Sequence, residues 1–285
     1  MNPILRSASP DDAQAAGTIV YNAFKTIAGR HGFPPDFPDP QVAIGLVDHL
    51  ISRTDVHSVM AEADGRVVGS NFLWEDDAVA GVGPITVDPA LQNSGIGRRL
   101  MEAVIERARD QRIVSVRLVQ AGYHMRSLSL YARLGFVVRE PLSLMQGTAL
   151  GLRIAGRAVR AATEADLDAA NAMCLRVHGL ARSIELRAAV AQGTASVVEH
   201  GARLCGYTTG IGFFGHSVGE STEDLMALIG AAPSFAGLGF FAPARNAELL
   251  RWCLRQGLRM VQPMTLMTLG PYSEPKGAFM PSVLY

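Results

Sequence analysis

The stretch Val87-Asp88-Pro89-Ala90-Leu91-Gln92-Asn93-Ser94-Gly95-Ile96-Gly97-Arg98-Arg99-Leu100 constrains the fold more than any other part of the chain. An apolar run, read as a buried strand, stops at Pro89, which cannot continue a hydrogen-bonded ladder. A short loop with two glycines then enters a helix over residues 97–110. Its apolar residues Leu100, Met101, Val104, Ile105 and Ala108 recur at three- and four-residue steps, one stripe of an amphipathic helix. Lacking side chains, Gly95 and Gly97 let the backbone curl until several N–H groups point one way. The first N–H groups of a helix have no intrahelical partners, and the helix dipole places partial positive charge beside them. A pyrophosphate satisfies both needs. Arg98 and Arg99 lie just inside the helix, where the dipole alone favours acids, and their position makes sense opposite an anion.

The neighbouring elements extend the pattern. Strands are expected near residues 57–63, 66–74 and 79–87, and again at 113–119. A second helix over 126–133 ends at Leu134-Gly135, with Gly135 as its C-terminal cap, before a strand at 136–138. Strand and helix alternating in this order imply an α/β (α+β) fold, with helices packed on a mixed, mostly antiparallel sheet.

Three phosphate-binding turns compete with a plain strand–helix connection. A dinucleotide-binding Gly-x-Gly-x-x-Gly pattern needs glycine where this chain has Leu100, and a P-loop needs a Gly-Lys-Ser/Thr that is absent. The third is the Gln/Arg-x-x-Gly-x-Gly/Ala turn of the GNAT-type N-acetyltransferases, matched by Gln92, Gly95 and Gly97. The run Tyr131-Ala132-Arg133-Leu134-Gly135-Phe136 resembles that family's second motif, Tyr-x-x-Leu-Gly-Phe, in the right order and separated by a strand. The chain therefore resembles a GNAT-type N-acetyltransferase over residues 3–145.

The resemblance implies a site. Acetyl-coenzyme A, as co-substrate, lies where the strand before the turn splays from its neighbour. Ile85, Thr86 and Val87 then meet the pantetheine and thioester. The backbone of Gln92, Asn93, Ser94, Gly95, Ile96, Gly97, Arg98 and Arg99 holds the pyrophosphate. Tyr131 protonates the departing thiolate. His124 stands where the family often has an asparagine that bonds the pantetheine; it could bond the cofactor, act as a base near neutral pH, or do neither. A base is needed because an alkylamine is mostly protonated at neutral pH. Residues 78–87 carry no carboxylate, where some relatives have a glutamate. The remaining candidates are Glu75, Asp76 and Asp77 just before that strand, and Glu62 on an earlier one. Residues 31–40 hold four prolines with Phe33 and Phe37. In the family this segment walls the acceptor site, so the two rings either recognise substrate or pack a stiff connector onto the core.

The chain of 285 residues suits two domains, and a weak internal repeat marks them. Arg6, Ala8, Asp12, Ala15 and Ala16 align with Arg160, Ala162, Asp166, Ala169 and Ala170, with Ser9 and Thr163 as helix-capping residues. Glu62, Arg66 and Gly69 answer to Glu199, Arg203 and Gly206. The expected architecture is two tandem GNAT-like domains, a catalytic one over 1–146 and a degenerate one over 153–285. In the second, Ser221-Thr222-Glu223-Asp224 starts a helix with no Gly-x-Gly, and Cys253 falls opposite Tyr131, so no coenzyme is expected there.

Lys plus Arg equals Asp plus Glu at 26 each, which argues against nucleic acid or an anionic membrane as partner. Cys174, Cys205 and Cys253 have neither disulfide nor zinc spacing, so no metal is expected and a reducing cytoplasm is the simplest setting. Residues 225–244 carry no charge. However, Gly230, Pro233, Gly237, Gly239 and Pro243 punctuate them, which reads as a helix end, a turn and a buried strand rather than a membrane span. The expected partner is a small-molecule or peptide amine, with a homodimer possible. The competing reading is a non-catalytic acyl-CoA-binding sensor or interaction protein.

Overall fold

The computed structural model describes residues 3–75 and 79–284. Its contacts divide the chain into two compact units, Met1–Leu118 with His124–Phe136, and Val119–Tyr123 with Val137–Tyr285. The chain thus passes between the units three times.

The first unit begins with β1 (Ile4–Ser7), the helix pair α1 (Ala13–Arg30) and α2 (Pro40–Ser52), and the hairpin β2 (Val56–Ala63) and β3 (Arg66–Trp74). Gly17 lets α1 and α2 meet closely: a Cβ there would run into the Ile44 backbone. The expected strand over residues 79–87 is two pieces, β4 (Val79–Val82) and β5 (Thr86–Val87), separated by Gly83, whose φ of +142° suits glycine. Then come α3 (Ile96–Asp110), β6 (Ser115–Ala121) and α4 (Met125–Arg133). Within this unit the sheet order is β1-β2-β3-β4-β6, with β5 paired to β3. The pairs are antiparallel except β4–β6, which is parallel over Val79–Gly81 and Ser115–Arg117. The stripe on α3 is buried as its periodicity predicts, with Leu100, Met101 and Val104 fully enclosed.

The second unit opens with β7 (Val137–Gln146) and β8 (Ala158–Ala161), followed by helices α5 (Leu167–His178) and α6 (Ser183–Ala191) and strands β9 (Ser196–His200), β10 (Arg203–Thr208) and β11 (Ser217–Gly219). It closes with α7 (Thr222–Ala231), β12 (Phe240–Pro243), α8 (Ala247–Arg255), β13 (Arg259–Leu269) and β14 (Ala278–Met280). One sheet runs β14-β11-β10-β9-β8; in the other, β13 lies between the end of β6 and β7, with β12 outside β7. β7, counted with the first domain from sequence, has both its ladders with strands of the second half.

The repeat is physical as well as textual. Arg6 grips Asp12 through two bonds of 2.7 Å and Glu62 at 2.7 Å. Arg160 grips Asp166 at 2.7 and 2.8 Å and Glu199 at 2.7 Å. Ser9 and Thr163 close matching capping boxes beside them. The two halves thus repeat one local arrangement. Among the described residues no helix is long and apolar enough to cross a membrane, and no cluster of His, Cys, Asp or Glu could hold a metal.

Candidate active site

The glycine turn folds as its sequence dictates. Asp88 accepts a bond from the Ala90 N–H at 2.9 Å, starting a short 3-10 turn over Pro89–Leu91. Asn93 and Gly95 then take positive φ values of +70° and +88°, and α3 starts at Ile96. The N-cap is Gly95, so no side chain caps the helix. Its backbone conformation accounts for glycine at 95. Position 97 differs: a Cβ on Gly97 would meet Leu130 and Val87 at 3.7 Å, ordinary van der Waals contact. Neither backbone nor packing requires glycine there, although glycine inside a helix costs about 0.5–1 kcal/mol relative to alanine. Close approach of a ligand to the backbone fits this position.

β5 carries the strand side of the site. Val87 and Thr86 pair with Gly69 and Ser70 of β3, and buried Thr86 sits 3.3 Å from the Ser70 hydroxyl. No second ladder of β5 occurs among the described residues, while β6 pairs with β4 rather than with β5. Ile85, half-buried, precedes the pair.

Two side chains of the expected site, Tyr131 and His124, differ in how their polar atoms are placed. The Tyr131 ring is buried and packs against Phe136 at 6.1 Å between centroids, and its hydroxyl bonds no described residue. Burial pushes its phenol well above the usual range. His124, the N-cap of α4, has a buried Nε2 with no hydrogen-bond partner among the described residues. Burial first, then the charges of Arg126 and His31, lower its pKa from 6.5 to about 4. Both effects favour the neutral imidazole.

The carboxylates are engaged elsewhere. Glu75 accepts a fork from Arg107 of α3 at 2.7 and 2.9 Å, occupying both of its oxygens. Glu62 holds Arg6. Asp76 and Asp77 lie outside the described residues. Arg98 pairs with Glu102 one turn along α3 at 3.3 Å, and the Arg99 guanidinium bonds the Pro3 carbonyl, so both cations have partners within the chain. Phe37 packs edge-on against Phe24 at 5.6 Å and joins the core under α1 and α2. Phe33 is half-buried, its N–H donating to Ala28. One residue escaped sequence reasoning: Arg126, on the first turn of α4, whose guanidinium bonds the side-chain oxygens of Gln92 and Asn93. Its nearness to His124 in sequence was the available signal.

In the second half the equivalent positions are filled from within. β11 pairs with β10 through Gly206↔Gly219, as β5 pairs with β3 through Gly69↔Val87. The other edge of β11 is taken by β14, with Val218 opposite Phe279. At the start of α7 the Asp224 carboxylate accepts from the Ser221 N–H at 2.8 Å and hydroxyl at 2.9 Å and from Arg157 at 2.6 Å. Cys253 is fully buried at the seventh position of α8, as Tyr131 is the seventh of α4. Burial pushes its thiol up to about 12.

Residues 21–136 match the model of a family described as Acetyltransferase (GNAT) family. An uncharacterized protein of Bacillus subtilis, YxbD, is 25% identical over 105 residues, which are 36% of this chain and 64% of that relative. The match thus spans less than two thirds of the relative's length. A putative acetyltransferase from Pyrococcus horikoshii has a similar fold, with a TM-score of 0.72 at 18% identity, over 100% of this chain and 93% of its own. A tandem GNAT protein from the clavulanic acid biosynthesis pathway is similar at a TM-score of 0.55 and 15% identity, over 95% of this chain and 100% of its own.

Proposed function

Because residues 21–136 form a domain of the acetyltransferase (GNAT) family, within a fold like that of a tandem protein of the same kind, we propose that the chain is an N-acetyltransferase that transfers an acetyl group from acetyl-CoA directly to an amine. The observation that carries this is the open helix start at Gly95. α3 meets solvent with no side-chain cap, whereas α7 in the second half is closed by its own Asp224. An uncapped helix N-terminus suits a pyrophosphate, and glycine at 97 suits its close approach.

Acetyl-CoA supplies the activated acetyl group, to which a neutral amine adds at the carbonyl as the thiolate leaves. The chain's own residues orient this exchange. The N–H groups from Gln92 to Arg98 hold the pyrophosphate, the Arg99 N–H being taken by the Gly95 carbonyl, and β5 offers its unladdered edge to the pantetheine arm. His124 hydrogen-bonds that arm through Nε2, a role its low pKa suits better than proton abstraction. The Tyr131 hydroxyl, kept protonated by burial, donates to the departing sulfur. With Glu62 and Glu75 held in ion pairs, the amine's proton passes to water. Holding amine and thioester side by side then provides most of the acceleration. The acceptor is a small-molecule or peptide amine. The three buried free thiols fit a reducing cytoplasm.

Calorimetric titration with acetyl-CoA tests the reading. One site per chain is expected, weakened about tenfold or more in Gly97→Leu with the melting temperature unchanged or raised. Absence of binding, or binding indifferent to that substitution, overturns it. Engagement of both Glu62 and Glu75 favours one alternative, a sensor that binds acyl-CoA without turnover. Thiol release measured against a panel of amines separates the two, since a sensor releases none.

A further inference from the structure

Arg126 is exposed, yet it links α4 to the glycine turn. Its guanidinium donates to the Gln92 and Asn93 side-chain oxygens, at 3.3 Å for Asn93. Each acceptor is placed for a reason. Gln92 uses its amide nitrogen on the Val87 carbonyl at 3.3 Å, so its oxygen faces away from β5. Asn93 sits in the left-handed region at φ +70°, a conformation that asparagine tolerates and that turns its neighbours' N–H groups. Ser94 adds a bond to the Leu91 carbonyl at 2.6 Å. The turn is therefore tied to β5 on one side by Gln92 and to α4 on the other by Arg126. A planar guanidinium can bridge two oxygens at once, which an ammonium cannot.

Resting on the reading that this turn holds acetyl-CoA, we propose that Arg126 is a positioning residue, clamping Gln92 and Asn93 so that the backbone N–H groups of the turn stand ready for the pyrophosphate before it arrives. Pre-ordering a loop lowers the entropy lost on binding and so tightens the complex. The same side chain stands beside His124, whose pKa its charge helps to lower.

A double-mutant cycle on the full chain tests it, with acetyl-CoA affinity by calorimetry as the readout. Arg126→Gln is expected to weaken binding about five- to tenfold. Arg126→Lys restores only part of the loss, since one ammonium replaces a two-oxygen bridge. In a Gln92→Ala/Asn93→Ala background Arg126→Gln should cost almost nothing more, because the partners it acts through are gone. Full additivity overturns the inference, as Arg126 would then touch the coenzyme directly or act elsewhere. An unchanged affinity in Arg126→Gln overturns it too, while leaving the acetyl-CoA reading intact. If the unaltered chain fails to bind acetyl-CoA, both fall together.

Discussion

The Tyr131 ring is buried, and its hydroxyl bonds no described residue. Tyr131→Phe keeps the buried ring and removes no hydrogen bond to a described residue, so stability should hold. The same change removes the donor to the leaving sulfur, and kcat should fall about a hundredfold with little change in the acetyl-CoA KM. A tyrosine held for packing alone would leave kcat unmoved. His124 gives the complementary test in pH. Its folded pKa of about 4 lies below the ordinary 6.5, so between these values the unfolded chain binds more protons than the folded one. Its contribution is complete above pH 6.5 and is lost as pH falls toward 4. Denaturant titrations across that window should show a shallower loss of stability for His124→Asn than for the unaltered chain, by at most about 1.4 kcal/mol per pH unit. Parallel profiles would mean that His124 titrates normally.

At the scale of elements, the two halves use one scaffold to opposite ends. α3 is open at Gly95, whereas α7 carries a carboxylate inside its first turn, where the dipole favours it. Among the described residues β5 has one ladder, whereas β11 has two. Asp224→Ala should therefore not create a coenzyme site, because β14 still lies along β11. It should instead cost about 3 kcal/mol, since Arg157 loses its buried partner. A second equivalent of acetyl-CoA bound by this variant would show that the carboxylate alone closes the second half. Sequence reached these elements where chemistry is local. The αL glycine, the apolar stripe of α3 and the glycine stop of α4 are written within a few residues. The repeated Arg6 and Arg160 networks were visible as matching letters, and their bonds explain why those letters match. The pairing of β14 with β11 was not visible, because a ladder depends on which edges are free after folding, and no local pattern encodes that. The fork from Arg107 onto Glu75 was hidden for a similar reason: its partners lie far apart in sequence and meet only once α3 packs on the sheet.

β7 leaves the half to which its sequence assigns it, and this sets the last expectation. β7 belongs to the first half by sequence, and a boundary near residue 150 looks like a natural cut. Its ladder partners, however, are β13 along one edge, from Arg259↔Gln146 to Thr268↔Val137, and β12 along the other. The end of β6 is likewise fixed from the second half, by the Gly122 N–H donating to the Pro263 carbonyl at 2.7 Å. A fragment of residues 1–150 would expose Leu142, Leu144 and Met145, all buried in the full chain, along a strand with both edges unpaired. Such a strand is a template for aggregation. Expressed alone, this fragment should aggregate or melt without cooperativity. Expressed together with residues 151–285, it should elute as a single complex and melt cooperatively. Size-exclusion chromatography and thermal melts of the two preparations decide the matter. A fragment 1–150 that stays monomeric and melts near the temperature of the full chain would show that the first half closes its own sheet, and that the exchanged strands are dispensable for folding.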